Sequence, residues 1–164
     1  MRPILPVPAL LAVLLALSHG RVAIATEVQG WFAHGGQRAQ LDHGVALRFR
    51  DPEAGGQPRL VVLLAQAAPD PERGRGKRNP LGNIEAGLPF DAARLVLHLD
   101  DARPAPAIER LAFGGLVVVR PEGASLQVVD DRLRGDWQAG PEDGGRAWQA
   151  SLRLDLPVVD LAAD

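Results

Sequence analysis

The stretch Ala147-Trp148-Gln149-Ala150-Ser151-Leu152-Arg153-Leu154-Asp155-Leu156-Pro157 decides the fold of this chain. Apolar residues occupy every second position from Trp148 to Leu156, and polar residues occupy the positions between them. A period of two places the two sets on opposite faces of an extended strand. A half-buried strand of about ten residues is stable only beside other strands, so the stretch predicts a sheet.

Shorter runs of the same kind fill the rest of the chain and are separated by glycine, proline and aspartate residues. The segment from Arg59 to Gln66 is apolar on both faces, which is typical of a central strand that is covered on both sides. No segment keeps a period of 3.6 long enough to predict a stable helix. We therefore predict an all-β chain of about nine strands, folded as an antiparallel β-sandwich or a small β-barrel. The predicted strands are 26–33, 40–50, 59–66, 94–100, 107–113, 116–120, 125–129, 132–138 and the quoted stretch.

Residues 1–25 have the composition of an export signal. Arg2 precedes an apolar run from Ile4 to Leu17, and Ala23-Ile24-Ala25 is a small-x-small triplet of the kind that signal peptidases accept. The apolar run is about fourteen residues long, well below the ~20 that cross a bilayer. We therefore expect cleavage after Ala25, or alternatively after Gly20. The product would be one periplasmic or secreted β-domain, residues 26–164, without a transmembrane segment.

Composition excludes several classes of function. The formal net charge is −2 and cysteine is absent. A nearly balanced charge gives no general attraction to nucleic acid, and the absence of cysteine excludes disulfide bonds, a lipid-anchored cysteine and thiolate metal sites. Ser125 and Ser151 lack the flanking glycines of a nucleophile elbow. The sequence therefore predicts no catalytic residue and no cofactor.

The connection from Ala67 to Leu88 is rich in proline, glycine and charge, and it predicts a flexible basic loop. Four basic residues separated by glycine form its cluster: Arg73, Arg75, Lys77 and Arg78. Such a cluster favours binding to an anionic envelope component or to an acidic protein surface. No aromatic residue lies between the basic ones, which argues against single-stranded nucleic acid. The alternative is an ordinary solvated loop.

Two tryptophans belong to the inward-facing series of the last two predicted strands. Trp137 and Trp148 flank a predicted hairpin, and with Trp31 they are the tryptophans of the chain. Tryptophans in β-sandwiches either line a pocket for a sugar or an apolar ligand or pack in the core. We name Trp137 and Trp148 as candidate binding residues and keep core packing as the alternative.

Histidine and aspartate suggest a second class of function. His43 falls on the apolar side of its predicted strand, and His98 and Asp100 lie near the end of another. Two neighbouring strands can present such ligands to one metal ion, so His43, His98 and Asp100 or Asp101 form a candidate metal site. The alternative places His43 at the edge of the core. Asp130-Asp131 is either a turn or a pair of calcium ligands.

The segment 35–46 contains a glycine turn followed by a Leu-x-His-x-x-Ala strand, and the apolar strand 60–64 comes next. These features, together with Asp131-Arg132-Leu133-Arg134-Gly135 and the closing strand, resemble an uncharacterised group of small secreted bacterial β-domains. The basic segment 73–78 departs from that pattern. The resemblance implies a β-rich exported domain and brings no activity with it. Our functional prediction is therefore an exported, non-catalytic β-domain that binds a protein or an envelope component, with a metal protein or enzyme centred on His43 and His98 as the alternative.

Overall fold

The strands pair into one curled sheet of ten strands that forms a half-barrel, so the predicted all-β class is confirmed. The computed structural model describes residues 27–51, 55–100, 105–139 and 148–161. The predicted signal peptide, Asp101 and the return from 140 to 147 lie outside the described residues. The strands are β1 (Glu27–His34), β2 (Gln37–Gln40), β3 (His43–Asp51), β4 (Gln57–Ala65), β5 (Arg94–Leu99), β6 (Ile108–Phe113), β7 (Leu116–Val119), β8 (Ala124–Val129), β9 (Arg132–Ala139) and β10 (Trp148–Asp160).

Strand β10 contains the stretch that predicted the sheet, and it joins the two parts of that sheet. In part A, of order β2-β1-β10-β9-β8, β10 lies between β1 and β9 and is antiparallel to both. In part B, of order β10-β3-β4-β5-β6-β7, Val158–Asp160 run parallel to residues 46–48 of β3. Val158 N donates to Asp131 O over 2.8 Å. Because backbone N–H groups alternate in direction along a strand, the nitrogen of the neighbouring Pro157 faces away from β9, and its lack of a hydrogen costs no bond to that strand. Val158–Asp160 pair with β3 directly after Pro157, so Pro157 lies at the junction between the two parts of the sheet.

Two hydrophobic clusters use opposite faces of part B. The main core lies on the concave side and combines residues of both parts, among them Phe32 of β1, Leu97 of β5 and Leu152 of β10. The second core lies on the outer face of β3, β4 and β5 and includes Leu47 and Leu63. Strand β4 is therefore buried on both faces, as its continuous apolar sequence predicts.

The outer face is covered by residues 67–88, the segment predicted to be a flexible basic loop. Within this segment the structure shows two short helices, a 3-10 helix (Pro71–Gly74) and α1 (Pro80–Glu85), so it is not a loop throughout. Ile84 is fully buried and Leu88 is 8% exposed, and both belong to the second core. These apolar residues are isolated in the sequence and form no periodic pattern. For that reason the sequence did not predict that the segment covers the sheet. Neither helix of the described residues is long and apolar enough to cross a membrane.

The second predicted strand is divided in two. The chain turns at Leu41-Asp42, so that β2 pairs with β1 whereas β3 pairs with β4. Leu41 N donates to Gly30 O over 3.0 Å, which holds the break against β1. As a result Leu41 enters the main core and Val45 enters the second core, although a continuous strand predicted one shared face.

Glycine and aspartate pairs close three hairpins of the described residues, as expected of turn residues between strands. Gly35-Gly36 and Gly114-Gly115 close the β1–β2 and β6–β7 hairpins. Asp130-Asp131 closes β8–β9 with φ angles of 51° and 53°, both in the left-handed region of a type I′ turn. The Asp pair therefore acts as a turn, because aspartate tolerates this conformation better than most residues.

Two glycines allow the sheet to bend on either side of β10. Gly30 of β1 lies opposite Leu152 with φ of 144°, and Gly135 of β9 lies opposite Leu154 with φ of 151°. A Cβ atom on Gly30 would lie 1.9 Å from the carbonyl oxygen of Ser151, and on Gly135 it would lie equally close to a carbonyl oxygen of β8. Glycine kinks at matched positions are a general means of curving a sheet. We infer that they set the curl of part A.

We expect Gly30→Ala and Gly135→Ala each to lower the free energy of unfolding by more than about 3 kcal/mol, because neither clash can be relieved without moving β10 or β8. Gly35→Ala is the matched control. Gly35 also has a positive φ, of 58°, but a Cβ there meets nothing within 4 Å. It should lower the free energy of unfolding by only about 1 kcal/mol. Urea unfolding followed by circular dichroism measures all three, and equal losses would contradict the assignment of the bends.

Candidate functional site

The four basic residues predicted to bind a partner lie on the cover of the second core, and all four are exposed. Two of them also support the cover. Arg73 Nε donates to the carbonyl oxygen of Asn83 over 3.4 Å. The Arg75 guanidinium donates to both carboxylate oxygens of Glu72, over 2.8 and 2.9 Å, and to the carbonyl oxygen of Asp160 over 3.4 Å. These contacts tie the 3-10 helix to α1 and to β10.

Lys77 and Arg78 occupy the turn between the 3-10 helix and α1. Gly74 before them and Pro80 after them are buried, so both ends of the turn are anchored. Neither side chain has a salt bridge to another residue of the described ranges. The turn therefore presents two positive charges to solvent between two buried residues.

The two candidate tryptophans pack in the main core, which favours the second of the two predicted roles. Trp137 is 1% exposed and Trp148 is 4% exposed. Their ring centroids lie 5.4 Å apart, and Trp148 stacks on Phe32 at 5.7 Å. Trp137 Nε1 donates to the carbonyl oxygen of Glu122 over 2.9 Å, which satisfies its polar group inside the core. No ring face is left open for a ligand at these two residues.

The candidate metal ligands do not come together. His43 is exposed at the start of β3, and His98 is half-buried in β5. The register places His43 opposite Ala65 and Ala65 opposite Arg94. His98 comes four residues later, about 13 Å along the strand and two strands away from His43. One metal ion cannot bind both imidazoles, so this set of ligands is wrong.

Asp100 follows the end of β5, two residues after His98, but His43 is not close to either. Within the described ranges no three histidine, aspartate or glutamate side chains form a group that could hold a metal ion. The period of two placed His43 on the face of Val45 correctly. It carried no information about which residue of the next strand lies opposite His43.

A ladder of charged residues on the solvent face of part A was missed as a group. Asp155 of β10 accepts from Arg132 over 2.5 Å and from Arg134 over 3.2 Å. One row further along, Arg153 donates to Asp136 over 3.0 Å. Alternation along the two strands places these residues on outward faces, but only the β9–β10 register brings the partners opposite each other.

The ladder borders a shallow concavity of about 250 Å³ around Gly135. Its walls carry both signs of charge, including Glu27 of β1 beside Arg153. Because the arginines and aspartates bind each other, their charges are largely neutralised within the protein. The concavity therefore offers less attraction for an ion than the Lys77-Arg78 turn does.

The hydrogen bond from Arg132 is the main cause that lowers the pKa of Asp155; Arg134 lowers it further, and partial burial opposes both. The hydrogen bond and charge of Asp136 raise the pKa of Arg153. Asp155 and Arg153 thus stay charged over the whole physiological range, as partners in a structural network.

Comparison of the chain with protein-family models, with curated proteins and with solved structures finds no match.

Asp155→Asn should weaken the acid dependence of stability. A carboxylate whose pKa is lower in the folded state stabilises the fold above its unfolded pKa of about 4, and it loses that effect as the pH falls through the folded value. The free energy of unfolding of the unaltered protein should therefore fall more steeply below about pH 4 than that of the variant. Asp42→Asn, at an exposed aspartate that forms no salt bridge within the described ranges, controls for the loss of one carboxylate. Identical pH profiles for Asp155→Asn and the unaltered protein would contradict the role of the network.

Trp137→Ala tests whether the tryptophans are core residues. Loss of a fully buried indole should lower the free energy of unfolding by about 3–5 kcal/mol. Trp31 is the control because it is only half-buried, with the guanidinium of Arg38 3.9 Å from its ring centroid. Trp31→Ala should cost about 1 kcal/mol. Chemical denaturation measures the free energy of unfolding of both variants. A small decrease for Trp137→Ala would contradict the core role and favour a role of Trp137 in a binding pocket.

Proposed function

We propose that this chain is an exported, non-catalytic β-domain that binds an anionic envelope component or an acidic protein surface through the turn Lys77-Arg78. The observation that carries the proposal is the exposure of these two cations between the buried residues Gly74 and Pro80. They project from a turn whose two ends are buried in the cover of the second core.

Because the turn is anchored at both ends, a partner could bind it through only a few contacts. A Cβ on Gly74 would lie 2.8 Å from Cδ1 of Ile84, so the 3-10 helix packs directly on the fully buried Ile84 of α1. The side chain of Asn79 caps α1 by accepting from Gly82 N over 2.9 Å. A partner that binds Lys77 and Arg78 therefore has little backbone to order, which reduces the entropic cost of association.

The electrostatic surroundings favour an anionic partner. Arg73 and Arg75 add positive charge beside the turn, although Arg75 is partly neutralised by Glu72. The planar guanidinium of Arg78 matches the two oxygens of a phosphate or a carboxylate, and the Lys77 ammonium adds a point charge. Exposed charges of this kind act mainly through attraction that salt weakens.

The exported location and the layered arrangement belong to the same proposal. The signal sequence and the resemblance to small secreted bacterial β-domains both favour export, and cleavage after Ala25 is testable by sequencing the N-terminus of the mature protein.

A sandwich-like closure of the half-barrel is supported by the contact of Phe32 in β1 with Phe113 in β6, whose ring centroids lie 4.7 Å apart. Such closure would give the binding turn a rigid base.

The experiment compares the double variant Lys77→Glu/Arg78→Glu with the unaltered mature protein. Binding is measured to a phosphorylated polysaccharide and to an acidic protein, each at low and at high salt. We expect a loss of affinity of at least about tenfold, or 1.4 kcal/mol, toward the partner class that is recognised. Added salt should weaken binding by the unaltered protein and have little effect on the variant.

The control is Arg38→Glu/Arg50→Glu, which makes the same change of charge on exposed residues of β2 and β3. It should leave binding close to that of the unaltered protein. Equal losses in the two double variants would show a general effect of net charge. Unchanged binding of Lys77→Glu/Arg78→Glu to both probes would refute the proposed site.

A further inference from the structure

Strand β7 is an open edge of the sheet with apolar side chains. Among the described residues it pairs only with β6. Val117 is 52% exposed and Val119 is 68% exposed, whereas Leu116 and Val118 pack against the main core. Uncovered β-branched side chains on an unpaired edge favour pairing with another strand.

The hydrogen bonds of the β6–β7 hairpin show which backbone groups point outward. Arg120 N donates to Glu109 O over 2.8 Å, so this opposed pair is hydrogen-bonded. Hydrogen-bonded and non-hydrogen-bonded pairs alternate along an antiparallel ladder, so Val118 also directs its backbone groups toward β6. The N–H and C=O groups of Val117 and Val119 therefore point away from β6, toward the open edge.

In the described residues the other two edges of the sheet, β2 and β8, carry exposed polar side chains, although Val129 at the end of β8 is also 44% exposed. On β2 the exposed Arg38 lies across the ring of Trp31. On β8 the exposed Ser125 and Gln127 alternate with inward residues. Charged and polar side chains on an edge oppose further strand pairing, and β7 has none.

We propose that β7 binds β7 of a second copy of this chain, antiparallel, about a two-fold axis beside Val118. In this register Val117 of each copy lies opposite Val119 of the other. The outward N–H and C=O groups of these two residues then form four hydrogen bonds between the copies. Val117 and Val119 are one residue either side of Val118, so the same residues serve both copies, as a two-fold interface requires.

The side chains suit this pairing. No residue from Leu116 to Val119 is charged, so no like charges lie directly opposite across the axis. Val117 and Val119 of the two copies would form one apolar patch on the outer face of the joined sheet. Arg110 lies opposite Val119 on β6, which puts the two Arg110 positions about 16 Å apart by strand geometry, beyond the Debye length of about 8 Å.

The proposed interface is small, so we expect the affinity between the two copies to be low. Pairing of two four-residue strands buries well below the roughly 1,200 Å² of a stable interface. We therefore expect weak association that depends on protein concentration, in which the β7 edge is covered only part of the time. An extended apolar segment of another protein is the competing occupant, because it would use the same outward groups.

The experiment follows self-association of the mature protein by sedimentation velocity and by amide NMR shifts, from micromolar to millimolar concentration. The sedimentation coefficient should rise with concentration, and the amides of Val117 and Val119 should shift with it. Val119→Pro removes an N–H that points outward and makes no bond to β6, so the fold should persist while association weakens at least tenfold. Val117→Lys provides a second variant, since like charges would then meet near the axis.

Gln127→Lys is the matched control, because it adds one lysine to the β8 edge, and it should leave association unchanged. A protein that stays monomeric throughout the concentration range refutes the proposal. So does association that Gln127→Lys weakens and the two β7 variants do not. Binding of an unrelated extended apolar peptide to β7 of a monomeric protein would assign the edge to a different partner and would also overturn it.

Discussion

Strand β10 is the constraint on which the rest of the structure depends. It is antiparallel to β1 and β9 along most of its length, and past Pro157 it continues parallel to β3. The same strand is therefore hydrogen-bonded to both parts of the sheet and sets the orientation of their strands. Gly30 and Gly135 stand on either side of it, where a side chain would collide with backbone. The bend at these glycines turns the inner face of part A toward part B, so that aromatic residues of β1, β6, β9 and β10 meet in one core.

A curled sheet with continuous apolar strands leaves an outer face that water must not reach. Val61 and Leu63 of β4 point to that face, and the 3-10 helix and α1 cover it. The cover is held by only a few apolar side chains, chiefly Ile84, and by the contacts of Arg73 and Arg75. The polar composition of the segment and its structural role are thus compatible. Its basic residues face solvent because its sparse apolar residues face the sheet.

The charged ladder and the tryptophan cluster both result from the alternation of side chains between the two faces of β9 and β10. On β9 and β10 the inward positions hold Trp137 and Trp148, which pack with Phe32, and the outward positions hold paired charges. Each arginine of the ladder lies opposite or diagonal to an aspartate, so the solvent face of part A gains cross-strand pairs whose charges largely cancel. The Lys77-Arg78 turn lacks such salt-bridge partners within the described chain, which is why we propose it as the binding surface.

The sequence by itself determined the all-β class, the turn at Asp130-Asp131 and the face on which most strand residues lie, because a period of two and turn residues are local properties. It also indicated that β4 is central. Only the tertiary structure decided the register, which separates His43 from His98 and brings Arg132 and Arg134 to Asp155. It alone placed Ile84 over the second core. Register and cover depend on contacts between residues far apart in the chain, and local periodicity specifies a face without specifying the residue that lies opposite.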